Sequence, residues 1–328
     1  MEKWTPLIAP GSLVLGILLA RWLSPYIGLV PWIFAFMTFA GSLGSSFNDL
    51  KRVLARPLPL LMSLLLLHVW MPLVGWAAGS LFFPSDIYTI TGILLAFTIP
   101  TGIISFMWVS IFKGNIAVTL SLILIDTFLS PFIVPYTLKV VVGADVQIDT
   151  LGMMAGLLWM VVLPSLLGML LNYLTKGQIK NGLGPLLAPF SKIGLIAVIS
   201  INGSVVAPFM LDFDWKLVQI AMVILLVAAS GYLFGLLAAR LCKWDRGITV
   251  AMTFNCGMRN ISAGTVLAMT YFAPAVVLPV ILGSLFQQIL ASSYAKLLRF
   301  IYRKQDQAAL TSEISSYKAG HRRNRPDV

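Results

Sequence analysis

Charge is scarce in this chain of 328 residues: Asp, Glu, Lys and Arg make up 11% of it, where soluble domains carry about 25%. Acidic residues are scarcer still, 12 against 23 basic ones. Cysteine is limited to Cys242 and Cys256, both near or within apolar segments, which excludes a disulfide framework and a zinc set. Catalytic patterns are missing too. The sequence has no His-Glu-x-x-His, no Gly-x-Ser-x-Gly, no Walker loop and no paired aspartates within an apolar segment, so a membrane enzyme is not expected. No polar stretch before about Tyr302 is long enough to fold by itself. Together these absences exclude a soluble globular enzyme, a disordered chain and a secreted disulfide scaffold.

What remains is apolar: 59% of residues are hydrophobic and the mean hydropathy is +0.91. Setting aside a basic, polar segment at 302–328 leaves 1–301, room for about ten passes at about 30 residues each. The runs predict membrane helices at 7–23, 30–46, 57–83, 87–110, 115–139, 150–174, 188–210, 216–241, 247–272 and 275–301. The third is long enough to tilt or bend. The first run follows a short Met1-Glu2-Lys3 start, but no small-residue cleavage site stands out, so it reads as a span and not a signal peptide.

Lys and Arg set the orientation. With the N-terminus cytoplasmic, Arg21, Lys139 and Lys216 alone fall outside and Arg259 falls within the hydrocarbon. The rest of the 23 basic residues fall inside, among them Lys51, Arg52, Arg56, Lys113, Lys176, Lys180, Lys192, Lys243 and the 302–328 cluster. Both termini are then cytoplasmic and the number of spans is even. The net charge of +11 reads as topology and attraction to anionic lipid, not as nucleic-acid binding. The 302–328 segment reads as a disordered cytoplasmic tail.

Two spans are interrupted. The fourth contains Pro100-Thr101-Gly102, and the ninth contains Asn255-Cys256-Gly257-Met258-Arg259-Asn260. Proline removes a backbone donor and disfavours helix in the residue before it. Unwound backbone in a bilayer is tolerated only beside protein or a cavity. Gly102 and Gly257 are separated by about half of the 1–301 region. The breaks therefore fall at matching places in two five-span repeats, about 1–145 and 146–301. Repeats of five spans insert with opposite orientation, the pattern of an inverted-repeat secondary transporter with broken helices at the midplane.

At these segments the sequence resembles the bile acid:sodium symporter family. That family carries P-G-G-x-x-S-N in its fourth helix, then a basic-Gly-Asn turn and a Ser-Pro; here the chain reads Pro100-Thr101-Gly102-Ile103-Ile104-Ser105-Phe106, Lys113-Gly114-Asn115 and Ser130-Pro131. For the family's E-x-G-M-Q-N it has Asn255-Cys256-Gly257-Met258-Arg259-Asn260, and Gly231-Tyr232 and Pro279 also match. The resemblance implies an all-α polytopic membrane protein of ten transmembrane helices. Its panel domain holds the first, second, sixth and seventh, its core domain the others, and the fourth and ninth cross at their breaks. It further implies alternating-access transport of a small organic anion, with sodium bound behind the crossing, in a bacterial-type inner membrane.

The family's sodium positions are altered here. They read Ser105, Phe106, Thr119, Ile123, Asn255 and Arg259, with the helix-three glutamine falling at or beside Leu67, next to His68. Hard cations take oxygen ligands, and a guanidinium donates but cannot accept. No metal site is expected with confidence, no cofactor is implied, and the coupling ion stands open between sodium and a proton. Asp126 and Arg259 are the charges left in the hydrocarbon, where charges are usually paired. Thr119 and Asp126 share one helical face, as do Asn255 and Arg259, so Asp126 and Arg259 are expected close together. A fixed pair would replace sodium; separation during the cycle would let Asp126 carry a proton.

The expected substrate and ion site comprises Thr101, Gly102, Ser105, Thr119, Asp126, Asn255, Met258, Arg259 and Asn260. Thr101, Ser105 and Asn260 are the nearest to substrate, beside half-helix N-termini that favour an anion. His68, Ser284, Gln287 and Gln288 are candidate cavity or relay residues. The expected function is secondary-active transport with weakened or lost sodium coupling. The alternatives are a rearranged sodium site, or a sensor or channel on the same fold. The expected partners are the organic anion and the lipid bilayer.

Overall fold

Backbone N–H and C=O groups inside a bilayer have no water to bond, so an apolar chain must satisfy them within helices. The computed structural model describes residues 5–44, 57–143, 146–211 and 214–323, and all regular elements among them are helical. In chain order they are α1 (Thr5–Leu18), α2 (Ala20–Leu23), α3 (Val30–Ser42), α4 (Pro57–Leu65), α5 (Met71–Phe82), α6 (Ile87–Thr98), α7 (Ile104–Ile111), α8 (Ile116–Val142), α9 (Thr150–Leu157), α10 (Leu163–Leu174), α11 (Ile179–Leu211), α12 (Trp215–Leu241), α13 (Arg246–Gly257), α14 (Ile261–Tyr271) and α15 (Pro274–Arg323). Lys3, Lys51, Arg52, Arg56 and Arg325 of the charge count lie outside the described residues.

Seven of the helical stretches described are long and apolar enough to cross a membrane. Trp22, Leu81, Val140 and Leu151 are among the large apolar side chains they leave exposed, a surface suited to lipid. The protein is an integral membrane protein.

Two spans bend at π-turns, each for the same reason. Pro72 cannot donate to the carbonyl four residues back, that of His68, nor Pro164 to that of Met160. The chain relaxes into π-turns at Leu66–Trp70 between α4 and α5, and at Leu158–Val162 between α9 and α10. Lys113, Lys176 and Lys243 each adopt a positive φ just past a helix C-terminus, where the carbonyl end of the dipole favours a cation.

Helices meet through small residues. A Cβ on Gly16 of α1 would lie 2.1 Å from the Ser200 carbonyl oxygen of α11, and one on Gly203 of α11 would lie 2.8 Å from that of Leu13. Ser200 Oγ donates to the Ser12 carbonyl at 2.9 Å across the same contact. On the opposite pair, Gly231 and Gly235 of α12 bring its backbone against Cys256 and Met252 of α13. α3 packs on α10 and α11, α5 on α6, and α8 on α4, α6, α7 and α13.

Two helices run past their expected limits. α11 begins at Ile179, well before the expected 188, so Lys192 is helical interior and not the edge of a loop. α15 continues to Arg323, through most of the segment expected to be a disordered tail. Between Tyr302 and Ala319 that segment holds no Pro or Gly and it follows an existing helix, so only propagation is needed and no new nucleus. By its contacts the chain divides into two compact units, Met1–Ala291 and Ser292–Val328.

Candidate functional site

Pro100 and Gly257 place the two breaks against each other. Ile99, before Pro100, leaves the helix with ψ 151, the extended conformation a following proline imposes. Met258 leaves α13 with ψ 126. The extended stretches pair as an isolated antiparallel bridge, Thr101 with Arg259. The Gly102 amide donates to the Met258 carbonyl at 3.0 Å, and the Asn260 amide to the Pro100 carbonyl at 2.8 Å. The unwound backbones thus satisfy each other. Only glycine fits at position 102, because a Cβ there would lie 2.7 Å from the Arg259 carbonyl oxygen.

Behind the bridge lies a closed polar network. Asp126, fully buried, accepts the Thr101 amide at 2.7 Å and pairs with His68 Nε2, also at 2.7 Å. Asn255, likewise fully buried, accepts from Ser105 Oγ at 2.7 Å and donates through Nδ2 to Thr119 Oγ1 at 3.1 Å. The Asn255 carbonyl accepts from Thr101 Oγ1 at 2.7 Å. Thr119 passes its own hydroxyl hydrogen to the Asn115 carbonyl. Ile123 is buried beside these groups and Phe106 is half-buried; neither offers oxygen.

Arg259, 4% exposed, donates from Nη1 to the Ile99 carbonyl at 3.3 Å, while Nη2 finds no partner. The expected direct contact between Arg259 and Asp126 is not made. The carboxylate's side-chain partner is His68, which the π-turn presents from the neighbouring span. Sharing a helical face brought Asp126 and Arg259 near one crossing; the intervening Thr101 amide and the His68 ring took the contact.

In front of the bridge is a cavity of about 360 Å³. It is lined by Gly102, Arg259 and Asn260 of the breaks and by Ser284, Gln287 and Gln288 of α15. Of the three residues expected nearest to substrate, Asn260 lines it, whereas Thr101 and Ser105 turn into the network behind. Met258 is buried, with its carbonyl held by Gly102. Asn260 caps α14 by accepting from the Ala263 amide. Gln287 accepts the Arg259 amide at 2.9 Å, Gln288 accepts from Trp108 Nε1 at 3.3 Å, and Ser284 bonds within its own helix to Ile281. The breaks do not leave all their amides free, since those of Thr101, Gly102, Arg259 and Asn260 are used. The amides of Ile103, Ile104, Ile261 and Ser262 make no hydrogen bond among the described residues. All four residues line the cavity at the N-terminal ends of α7 and α14.

Three cavity residues on α11 were not singled out in the sequence: Ser191, Lys192 and Asn202. Their signal was spacing. With Leu195 and Ile199 they recur at three to four residues along one helical face.

Comparison with known proteins follows the same lines. The model of the Sodium Bile acid symporter family matches residues 31–213. The uncharacterized protein YbaS of Bacillus subtilis (strain 168) is 47% identical over 89% of this chain and 96% of its own length. The probable sodium/metabolite cotransporter BASS1, chloroplastic, of Oryza sativa subsp. japonica is 28% identical over 86% of this chain and 67% of its own. The uncharacterized sodium-dependent transporter YocS of Bacillus subtilis (strain 168) is 25% identical over 90% of each.

Proposed function

From the premise that this chain belongs to the sodium bile acid symporter family, a family of transporters, we propose that it carries a small organic anion by alternating access without coupling to sodium. One observation carries the anion: four residues whose amides make no hydrogen bond among the described residues, at the N-termini of α7 and α14, line one cavity. Each helix N-terminus bears about half a positive charge, so the two together complement about one carboxylate. The broken spans, counted with α1 and the seven long apolar stretches, support ten crossings in two inverted repeats. The contacts of α1, α3, α10 and α11 with one another support a panel, with α4–α8 and α12–α14 forming the core around the network.

The absence of sodium coupling rests on the donor set. Sodium needs several free oxygens. The Asn255 side-chain oxygen Oδ1 already accepts from Ser105 and its Nδ2 donates to Thr119, while Phe106 and Ile123 supply none. The residues do not fit the ion. Two side-chain groups of basic residues stand in its place, the Arg259 guanidinium and the His68 ring on Asp126. The His68–Asp126 pair favours a second reading, in which a proton takes the role of sodium.

The test is exchange in proteoliposomes holding the purified chain. Uptake of a short radiolabelled carboxylate is expected to saturate, to be accelerated by unlabelled carboxylate inside, and to be unchanged when choline replaces sodium. Binding without flux would instead make the protein a sensor on a carrier fold.

A further inference from the structure

Lys192 is misplaced for a residue that only sets topology. It lies about 20 Å along α11 from the helix start at 1.5 Å per residue, within the apolar stretch Ile179–Val205. A lysine inside such a stretch is costly unless it faces water or a partner. Lys192 is exposed and lines the cavity, and it has no ion-pair or hydrogen-bond partner among the described residues. No Asp or Glu lines that cavity. Two further polar groups on the same face lack partners although buried: Ser191 Oγ, next to the lysine, and Oδ1 of Asn202, which is 3% exposed. Leu195 and Ile199 lie between. The lining along α11 is therefore polar at Ser191 and Lys192, apolar at Leu195 and Ile199, and polar again at Asn202.

The charge balance points the same way. The two helix N-termini complement about one negative charge, and two cationic side chains, Arg259 and Lys192, line the same cavity, so its positive charge exceeds what one carboxylate balances. We propose that Lys192 is a specificity-determining residue that takes a second anionic group of the substrate, so that the cavity selects short dicarboxylates over monocarboxylates of equal chain length. One carboxylate sits at the free amides of the crossing and the other at the Lys192 ammonium. This rests on the organic-anion reading above. A bridged ligand would also tie α11 to the broken helices.

The test measures binding by the full-length protein of succinate against butyrate and of glutarate against valerate, at pH 7, where both carboxyls are ionised. The wild type is expected to prefer the diacid of each pair by about tenfold. Lys192→Gln should abolish that preference by weakening the diacid alone, while Lys192→Arg should keep it. Equal binding of diacid and monoacid by the wild type would overturn the inference, as would a Lys192→Gln variant that weakens both alike. Either outcome leaves the organic-anion carrier standing. Binding of neither class would overturn the carrier reading together with it.

Discussion

Asp126 has a different task from a surface carboxylate. Its two oxygens accept from the Thr101 amide and pair with His68, each at 2.7 Å, with no solvent exposure. Removing one partner of a buried pair leaves the other uncompensated, a loss of about 3–5 kcal/mol. Asp126→Leu is therefore expected to lower the melting temperature in detergent strongly. His68→Leu/Asp126→Leu should be milder than the sum of the single changes, by about 1–3 kcal/mol. Additive effects in that cycle would show that the 2.7 Å contact does not stabilise the fold. Asp126→Asn is a gentler change, because an amide oxygen can still accept the Thr101 N–H.

At the scale of elements, glycines decide how closely the broken helices approach their neighbours. A Cβ on Gly257, the last residue of α13, would lie 2.2 Å from Tyr232 Cγ and 2.4 Å from the flanking ring carbons. The ring cannot easily retreat, since Tyr232 Oη donates to the Gln287 carbonyl at 3.0 Å and the residue is fully buried. Gly257→Ala should cost about 1–3 kcal/mol through overpacking and pull the crossing apart, seen as a lower melting temperature and loss of ligand binding. Gly41→Ala is the control: nothing lies within 4 Å of its Cβ, and alanine favours helix there. Equal destabilisation by both changes would mean that the close α12–α13 approach does not matter.

These elements also show what sequence could and could not carry. Pro100, Gly102, Gly257 and the polar residues around them are local signals, so both breaks were legible where they occur. Pro72 and Pro164 were visible as well, but whether a lost hydrogen bond gives a kink or a π-turn depends on the packing around it. The π-turn moved His68 onto Asp126, and face-sharing within α8 could not reveal which neighbour would face the carboxylate. Lys192 lay within the expected helix 188–210 and was counted only toward topology; that it lines the cavity follows from the face of α11 it occupies. That Thr101 and Ser105 face the network while Asn260 faces the cavity is set by the rotation of the two breaks about their bridge, which no spacing reports.

For the whole molecule, the question is which cation holds the broken helices together. A carrier coupled to sodium is stabilised by it, because an ion that binds the folded state adds RT ln(1 + [L]/Kd), about 2.7 kcal/mol at a hundredfold excess over Kd. Here the Arg259 guanidinium is covalently present and bonded to the Ile99 carbonyl, so the charge at the crossing does not depend on solution composition. The ligand-free protein is accordingly expected to melt at one temperature in sodium, potassium or choline at fixed ionic strength. A sodium-specific rise would mean that free oxygens survive behind the bridge and that the hydrogen bonds of Asn255 rearrange around an ion. The paired change Asn255→Glu/Arg259→Gln restores the residues that the resemblance places at these positions. It removes the resident guanidinium and supplies a carboxylate facing Ser105 and Thr119, the hydroxyls that Asn255 now engages. That variant should melt lower than the wild type in choline, with sodium returning part of the loss. Arg259→Gln alone should lose stability without gaining a response to sodium, since no carboxylate is added where Asn255 stands.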